Sequence, residues 1–388
     1  MAKGSQFRAE WCDYKDAQTG INIKQLTDYK GHSHHLYFTN SGWYTDKQGP
    51  KLLFGSDRCN ETNLFSIDLE SGRITQLTDS SSASSQPSQL LFSSVNPCRP
   101  EVYFWRERAL VALDLDTLVE RTLYGVPDGY DVNMTSVTAD GKFVCTGIYK
   151  DLSARFKVDL LHGYVGFEEY WAAMPHSQIL QIATDSASAR IIFEERYWIG
   201  HVNASASQPD ILTFCHEGPW DKVDQRIWGL DARTGSAWKI RPTEPGERVG
   251  HEYWFADGEQ IGYHGKKADG QAFYGSIRYD NTHQVEAPFL SDSMHFHSND
   301  LNLIVGDGSR SDPRLMLWRL SGGRFEGPRT VLTHRGTFQV QQLHVHPRFS
   351  PDGKHILFTS DPSGYGNLNL IETPDFDSLP GILAEKAE

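Results

Sequence analysis

Lys51-Leu52-Leu53-Phe54, Asn63-Leu64-Phe65-Ser66-Ile67-Asp68-Leu69 and Ile74-Thr75-Gln76-Leu77-Thr78-Asp79 make one unit: an apolar run, a second run ending on Asp, a turn, and a third run ending Leu-Thr. Each run has strand length, is rich in β-branched and aromatic residues, and is bounded by turn formers, so the unit predicts three consecutive antiparallel strands. The same order returns in Val102-Tyr103-Phe104-Trp105, Leu110-Val111-Ala112-Leu113-Asp114-Leu115 and Arg121-Thr122-Leu123-Tyr124. Equivalent first strands are expected near Phe143, Ile211, Ile261, Leu303 and Ile356, which makes seven units. Their usual separation, roughly 40 to 50 residues, fits four-stranded propeller blades and exceeds the period of leucine-rich repeats. The expected fold is all-β: one seven-bladed β-propeller domain over residues 1–388.

The spacing from Phe143 to Ile211 is too long for one blade and predicts an insertion at about 151–177, with Phe167-Glu168-Glu169-Tyr170-Trp171-Ala172-Ala173-Met174 as a short helix overhanging the channel. Ile21-Asn22-Ile23-Lys24-Gln25-Leu26-Thr27 reads as an outermost strand without its predecessors; pairing it with the last blade would close the ring and remove exposed edges. The polar tail after about 375 is expected to be loose.

Ten Trp, 16 Tyr, 20 Phe and 34 Gly describe an aromatic, turn-rich chain, and a net charge of -13 without a long acidic run argues against nucleic-acid binding. The five cysteines lack CxxC spacing, so they are expected to be reduced and buried, not disulfide-bonded or zinc-binding. The N-terminal residues lack an apolar signal core and no apolar run is long enough to cross a bilayer, which predicts a cytoplasmic protein with no membrane partner. The sequence carries no reading of oligomeric state.

The histidines recur at one phase of the repeat. His32, His34 and His35 precede the first unit, His201 and His216 flank the first strand of the fourth, and His251, His295 with His297, and His344 with His346 precede the last three. Loops at one phase of a propeller gather at one rim. Within Gln341-Gln342-Leu343-His344-Val345-His346-Pro347, side chains two apart share a face of an extended chain, so both imidazoles can converge on one ion while the Gln341 amide adds a harder oxygen donor. Such mixed ligation suits manganese, iron or zinc.

Four segments together resemble the oligogalacturonate lyases: Phe214-Cys215-His216-Glu217-Gly218-Pro219 with Arg226 downstream; His251-Glu252-Tyr253-Trp254; His295 through Ser298-Asn299 to Gly306-Asp307-Gly308; and Gln341-x-x-His344-x-His346-Pro347. The resemblance implies a seven-bladed propeller holding one manganese ion, with another divalent first-row metal as an alternative. By the same resemblance the ligands are His295, Gln341, His344 and His346, with His297 as the fallback for His295. His251 takes the place of the Brønsted base and Arg226 that of the cation facing the substrate. His34, His201 and His216 fall where they would line the same substrate-binding pocket.

The implied activity is metal-dependent β-elimination on short uronide oligosaccharides, oligogalacturonates, giving a 4,5-unsaturated product in pectin degradation. Removing the weakly acidic C5 proton requires neutralisation of the adjacent carboxylate, which a divalent metal and a fork-shaped guanidinium supply, and a base matched to the working pH. A histidine meets the last requirement. Trp220, Tyr253 and Trp254 are expected in the core, and Arg226 could instead pair with Asp221 or Asp224. A shortened turn after Gly308, the insertion and Gly250 depart from the family pattern, so a different uronide is an alternative substrate. A non-catalytic TolB-like binding propeller is the alternative from another class, and it leaves the histidine phase unexplained. No GxSxG, HExxH or phosphate-binding loop occurs.

Overall fold

Residues 2–79, 90–159 and 164–382 are described by the structure, a computed structural model. Seven antiparallel sheets follow one another among these residues, five of them formed by consecutive strands of the chain. In the second, Ser94–Val95, Glu101–Arg106, Ala109–Asp114 and Glu120–Gly125 pair in order; in the fifth, Arg248–Trp254, Gln260–Lys266, Ala272–Arg278 and Val285–Pro288 do. Strands that open neighbouring sheets contact each other, so each blade begins at the channel and works outward. Every run read from sequence as a first strand is therefore the second strand of its blade. Three of the true inner strands have only two residues, and the others break their apolar residues with polar ones and histidines, which hid them from a search for apolar runs.

The ring closes through the N-terminal region. Asn22–Gln25 pairs with Asn367–Glu372, Lys24 opposite Leu370 and Gln25 opposite Asn369, and Cys12–Lys15 adds a further strand outside it. Gln6–Phe7 continues onto Ile74–Gln76 of the first blade. Residues 6–25 thus tie the last blade to the first, covering the outer strand of each with one further strand or more.

The core lies between blades. Val305, Leu315 and Leu317 of the sixth blade pack against Ile356 and Phe358 of the seventh, and Leu53 and Leu64 of the first pack against Val102, Phe104 and Val111 of the second. Each fully buried aliphatic side chain contributes about 1.5–3 kcal/mol. The unbroken burial along the second and third strands, as in Glu101–Arg106, Gln260–Lys266 and Ala272–Arg278, follows from having an inter-blade core on each face.

The insertion joins the second and third strands of the third blade, Phe143–Lys150 and His176–Ala183, and residues 160–163 of it lie outside the described residues. Its helix spans Phe167–Ala172, with Gly166 at φ 75° before it and Glu168 and Glu169 in the first turn, where acidic residues suit the helix dipole. Tyr170 is buried, donates its hydroxyl hydrogen to the Lys150 carbonyl and packs on Trp198 at 4.8 Å between ring centroids.

Two expectations need correction. The tail is not loose up to residue 382: Phe376 and Leu379 are buried in the core of the sixth and seventh blades, and Arg319 forks onto Asp377 at 2.8 and 2.9 Å. Two apolar residues in a polar stretch suffice to dock it. Of the five free cysteines only Cys145 and Cys215 are buried, while Cys12, Cys59 and Cys98 are exposed. No helix among the described residues is long and apolar enough to cross a membrane.

Candidate metal centre and its cavity

His295, His344 and His346 come together at the head of the sixth and seventh inner strands, each offering one nitrogen, with these atoms all within 4.8 Å of one another. All three are buried. Gln341–Leu343 forms one 3-10 turn, and from there His344 and His346 turn to one side while Val345, fully buried, plugs the inter-blade core on the other. That division is the i, i+2 alternation of an extended segment. His346 adopts φ 44°, so the chain kinks before the short inner strand Arg348–Phe349.

The donor chemistry fits a divalent ion. His295 Nδ1 donates to Asp307 Oδ2 at 2.7 Å while its own backbone N–H donates to Asp307 Oδ1 at 2.8 Å, so a buried carboxylate fixes ring and tautomer and leaves Nε2 to ligate. Nδ1 of His344 and Nε2 of His346 are buried without a hydrogen-bond partner, a costly state that a bound cation would relieve. Burial, then the neighbouring His295, pushes the His344 pKa down to about 3, and the same causes hold His346 well below the usual histidine value. Both rings are neutral at neutral pH, as ligation requires. Gln341 lines the same cavity as His295.

His297 does not join them. Its Nδ1 accepts from the Phe349 N–H at 3.3 Å and its ring stacks on Tyr253 at 5.5 Å, one turn of the pleat deeper in the channel.

His251 lies beside this cluster, its ring stacked on His295 at 5.0 Å and 26°. Nδ1 sits 3.4 Å from His264 Nε2, so Nε2 is the nitrogen left to accept a proton. Burial first, then the neighbouring His295, His264 and His201 rings, lowers the His251 pKa well below the usual value and keeps it neutral. Trp220 meets it edge-on at 5.0 Å, and a Cβ at Gly250 would overlap the Trp220 ring, which accounts for the glycine there. Trp220 thus lines the cavity and is not the core residue expected, whereas Tyr253 is buried with its hydroxyl 2.8 Å from Ser298.

Arg226 is neither on the surface nor paired with Asp221 or Asp224. It is 3% exposed and held by Glu217 Oε1 at 3.0 Å and Glu252 Oε2 at 3.2 Å. Its Nε and Nη1 are occupied by these carboxylates and the His216 carbonyl, and Nη2 has no partner among the described residues, on a side chain that lines the cavity. The two glutamates therefore aim the guanidinium. His201 completes this group, with Nδ1 3.3 Å from Glu252 Oε1 and Nε2 3.4 Å from the Tyr37 hydroxyl. Glu217 and Glu252 were missed in the sequence although both stand inside the motifs quoted above, because nothing in the spacing says that a carboxylate two strands away meets Arg226.

The cavity over these groups measures about 880 Å³ and is lined by His201, Arg226, His251, His295 and Gln341 on one side, with Tyr164, Phe167 and Tyr170 of the insertion closing over it. Two of the residues expected there stand elsewhere. His34 is packed against Gly55 of the adjacent strand with Nδ1 3.1 Å from the His35 carbonyl, so its side chain is spent inside the first blade. His216 ends a second strand, not an inner one; its ring stacks on Tyr197 at 3.7 Å and its Nε2 lies 2.8 Å from Glu195.

Four of the inner strands carry a register shift, one of them between Val132 and Thr135, and in two of the four it positions a side chain of the site. The ladder shifts register between Gly200 and Asn203, between Gly250 and Tyr253, and between His297 and Asp300. In the first two, the extra residue is a histidine at positive φ, His201 at 46° and His251 at 49°. A β-bulge re-aims one side chain at a cost of about 1–3 kcal/mol for the left-handed non-glycine residue, and such strain concentrates at functional sites.

The family model described as oligogalacturonate lyase matches residues 1–377. The chain is 30% identical over 401 residues to an oligogalacturonate lyase of Dickeya dadantii, covering 97% of this chain and 99% of that protein. It is 29% identical over 397 residues to an oligogalacturonide lyase of Pectobacterium atrosepticum, with the same coverage. A solved oligogalacturonate lyase in complex with manganese superposes with a TM-score of 0.83 at 27% identity, over 97% of this chain and 99% of that one. A second, from Vibrio parahaemolyticus, gives a TM-score of 0.83 at 22% identity over 96% and 99%, a likeness of fold. This chain belongs to the oligogalacturonate lyase family.

Proposed function

We propose that the protein is a metal-dependent carbon–oxygen lyase that cleaves short oligogalacturonates by β-elimination, with manganese held by His295, His344, His346 and Gln341. The observation that carries this reading is the set of three converging, buried imidazoles, one locked by Asp307, with His251 stacked against them. The metal, when bound, supplies Lewis acidity that neutralises the uronate carboxylate and stabilises charge as the C5 proton leaves.

The remaining steps fall to the chain's own residues. Arg226, aimed by Glu217 and Glu252, presents Nη2 to the same carboxylate, and its planar fork suits it for that contact. His251, its Nδ1 facing His264, accepts the C5 proton at Nε2; the C5–H electron pair becomes the C4–C5 double bond as the C4–O bond breaks, and the departing oxygen leaves as a hydroxyl by taking a proton from water. Trp220 fixes the ring plane of His251 and offers a face to the sugar. His201, wedged between Glu252 and Tyr37, holds the carboxylate pair in place. Tyr164, Phe167 and Tyr170 exclude water from above, which strengthens every electrostatic contact beneath them. The binding-module alternative has no use for this arrangement.

The test is mass spectrometry of the products from digalacturonate incubated with manganese-loaded protein. Elimination leaves the summed product masses equal to that of the substrate; products heavier by one water would mean hydrolysis and contradict the proposal.

A further inference from the structure

The buried arginines of this propeller come with carboxylates. Arg58 has Glu10, Arg226 has Glu217 and Glu252, and Arg241 has Glu247 and Glu286. Arg348 has none. Among the described residues no Asp or Glu lies within ion-pair distance of it, and its hydrogen bond runs from Nη1 to the Phe38 carbonyl. Nε is buried without a partner, although the side chain as a whole keeps some accessible surface. A guanidinium stays protonated at neutral pH, and a cation drawn into the protein without a counter-charge is strongly destabilising.

Arg348 opens the innermost strand of the seventh blade two residues after His346, just as His297 follows His295 by two in the sixth, and these two inner strands touch. Both side chains therefore stand one step deeper in the channel than the metal ligands. Phe38, reaching in from the first blade, separates the two levels: it is fully buried, and its ring meets His251, His295 and His346 at 5.4 to 5.9 Å. Arg348 is accordingly not among the residues lining the substrate cavity. His297 accepts the Phe349 N–H at Nδ1, which puts the ring's own hydrogen on Nε2, and that donor has no partner among the described residues. The neighbouring groups bring no negative charge: the Tyr253 hydroxyl is engaged by Tyr274 and Ser298, and His35 donates from Nε2 to the Val345 carbonyl at 3.2 Å. A fork of N–H donors and one imidazole N–H among aromatic walls suit a small monovalent anion, whereas phosphate or sulfate would bring four oxygens and leave most of them unbonded. A divalent ion held by His346 would also meet an unpaired guanidinium one step behind it, a repulsion that low dielectric strengthens.

We infer that Arg348 and His297 hold a small monovalent inorganic anion of the chloride kind in the channel behind Phe38, and that this anion is the counter-charge for the divalent metal in front of it. This goes beyond the lyase reading and takes from it only the metal. The first measurement is bromine anomalous diffraction from crystals of the protein soaked in sodium bromide with manganese, where a peak within hydrogen-bond distance of the Arg348 guanidinium and His297 Nε2 is expected. The second is calorimetric titration of manganese into metal-free protein in sodium chloride and in sodium gluconate of equal ionic strength. Manganese should bind more tightly in chloride by about fivefold or more, the lower range of coupling between linked sites, and the difference should vanish in Arg348→Met. No bromine peak at that place, or an anion dependence that survives in Arg348→Met, would overturn the inference. A peak accompanied by equal affinity in the two salts would mark an adventitious ion only and overturn it as well. If Arg348→Met does not fold, the peak and the two salts decide on the parent protein. Protein that takes up no manganese in either salt would contradict the metal centre instead, and the bromine peak would still decide whether the anion binds.

Discussion

Asp307 is the residue through which the metal proposal is most economically tested, because it touches His295 twice and would not touch the ion itself. Asp307→Asn keeps the size but loses the charge that orients the imidazole, and manganese affinity is expected to fall about 10–100-fold, measured by calorimetric titration of metal-free protein. Unchanged affinity would remove His295 from the ligand set. His251→Ala is expected to bind manganese as before and to lose turnover by at least about 100-fold, the usual worth of a positioned base. Turnover within a few-fold of the parent would pass the base role to another group. At this scale the sequence was informative where spacing alone decides: His344 and His346 share a face because they are two apart, with Val345 driven into the core. It was silent where the partner is distant. Arg226 lies far from Glu252 in sequence, and only the approach of the segment just ahead of the fourth blade's third strand, Ile227–Asp231, to the fifth blade's inner strand, Arg248–Trp254, brings them to 3.2 Å.

At the scale of the strand, the inner strands do the positioning, and they were the elements hardest to read. Ser33–His34, Ser94–Val95 and Arg348–Phe349 have two residues each, too short and too polar to declare themselves. Their neighbours, longer and apolar, were legible, which is why the blade count followed while the blade phase slipped by one strand. The bulges at His201 and His251 are invisible to a period-two pattern, since a bulge is a local break in that pattern. Gly250 is the trace they left. Gly250→Ala would drive a methyl group into Trp220, which in turn bears on His251. A loss of about 1–3 kcal/mol in urea unfolding is expected together with reduced kcat, and a variant of parental stability and activity would show that the Trp220 contact is dispensable.

For the molecule as a whole, a channel crowded with buried neutral histidines has a consequence for acid stability. His35 and His264 are buried and neutral, and burial chiefly lowers each to a pKa of about 4. Unfolded, each returns to about 6.5. Below that value the unfolded chain binds protons that the folded one refuses, so folding stability falls as pH drops from about 6.5 toward 4, at about 1.4 kcal/mol per pH unit for each ring. Metal-free protein is therefore expected to show a lower urea midpoint at pH 5 than at pH 7.5, and His35→Gln/His264→Gln a flatter dependence. A midpoint that is constant across this range would mean that these rings are not neutral in the native state. The propeller itself follows from seven apolar units and a closing N-terminal strand, and the family follows from four motifs that meet at one rim.

The central claim, metal-dependent elimination, is tested most directly by the ultraviolet absorbance of the conjugated double bond when the protein meets digalacturonate with manganese and, in parallel, with a chelator. A rise in absorbance that manganese supports and the chelator abolishes is the expected result. No rise from protein shown by elemental analysis to hold its metal, or a rise that the chelator leaves untouched, would contradict the account.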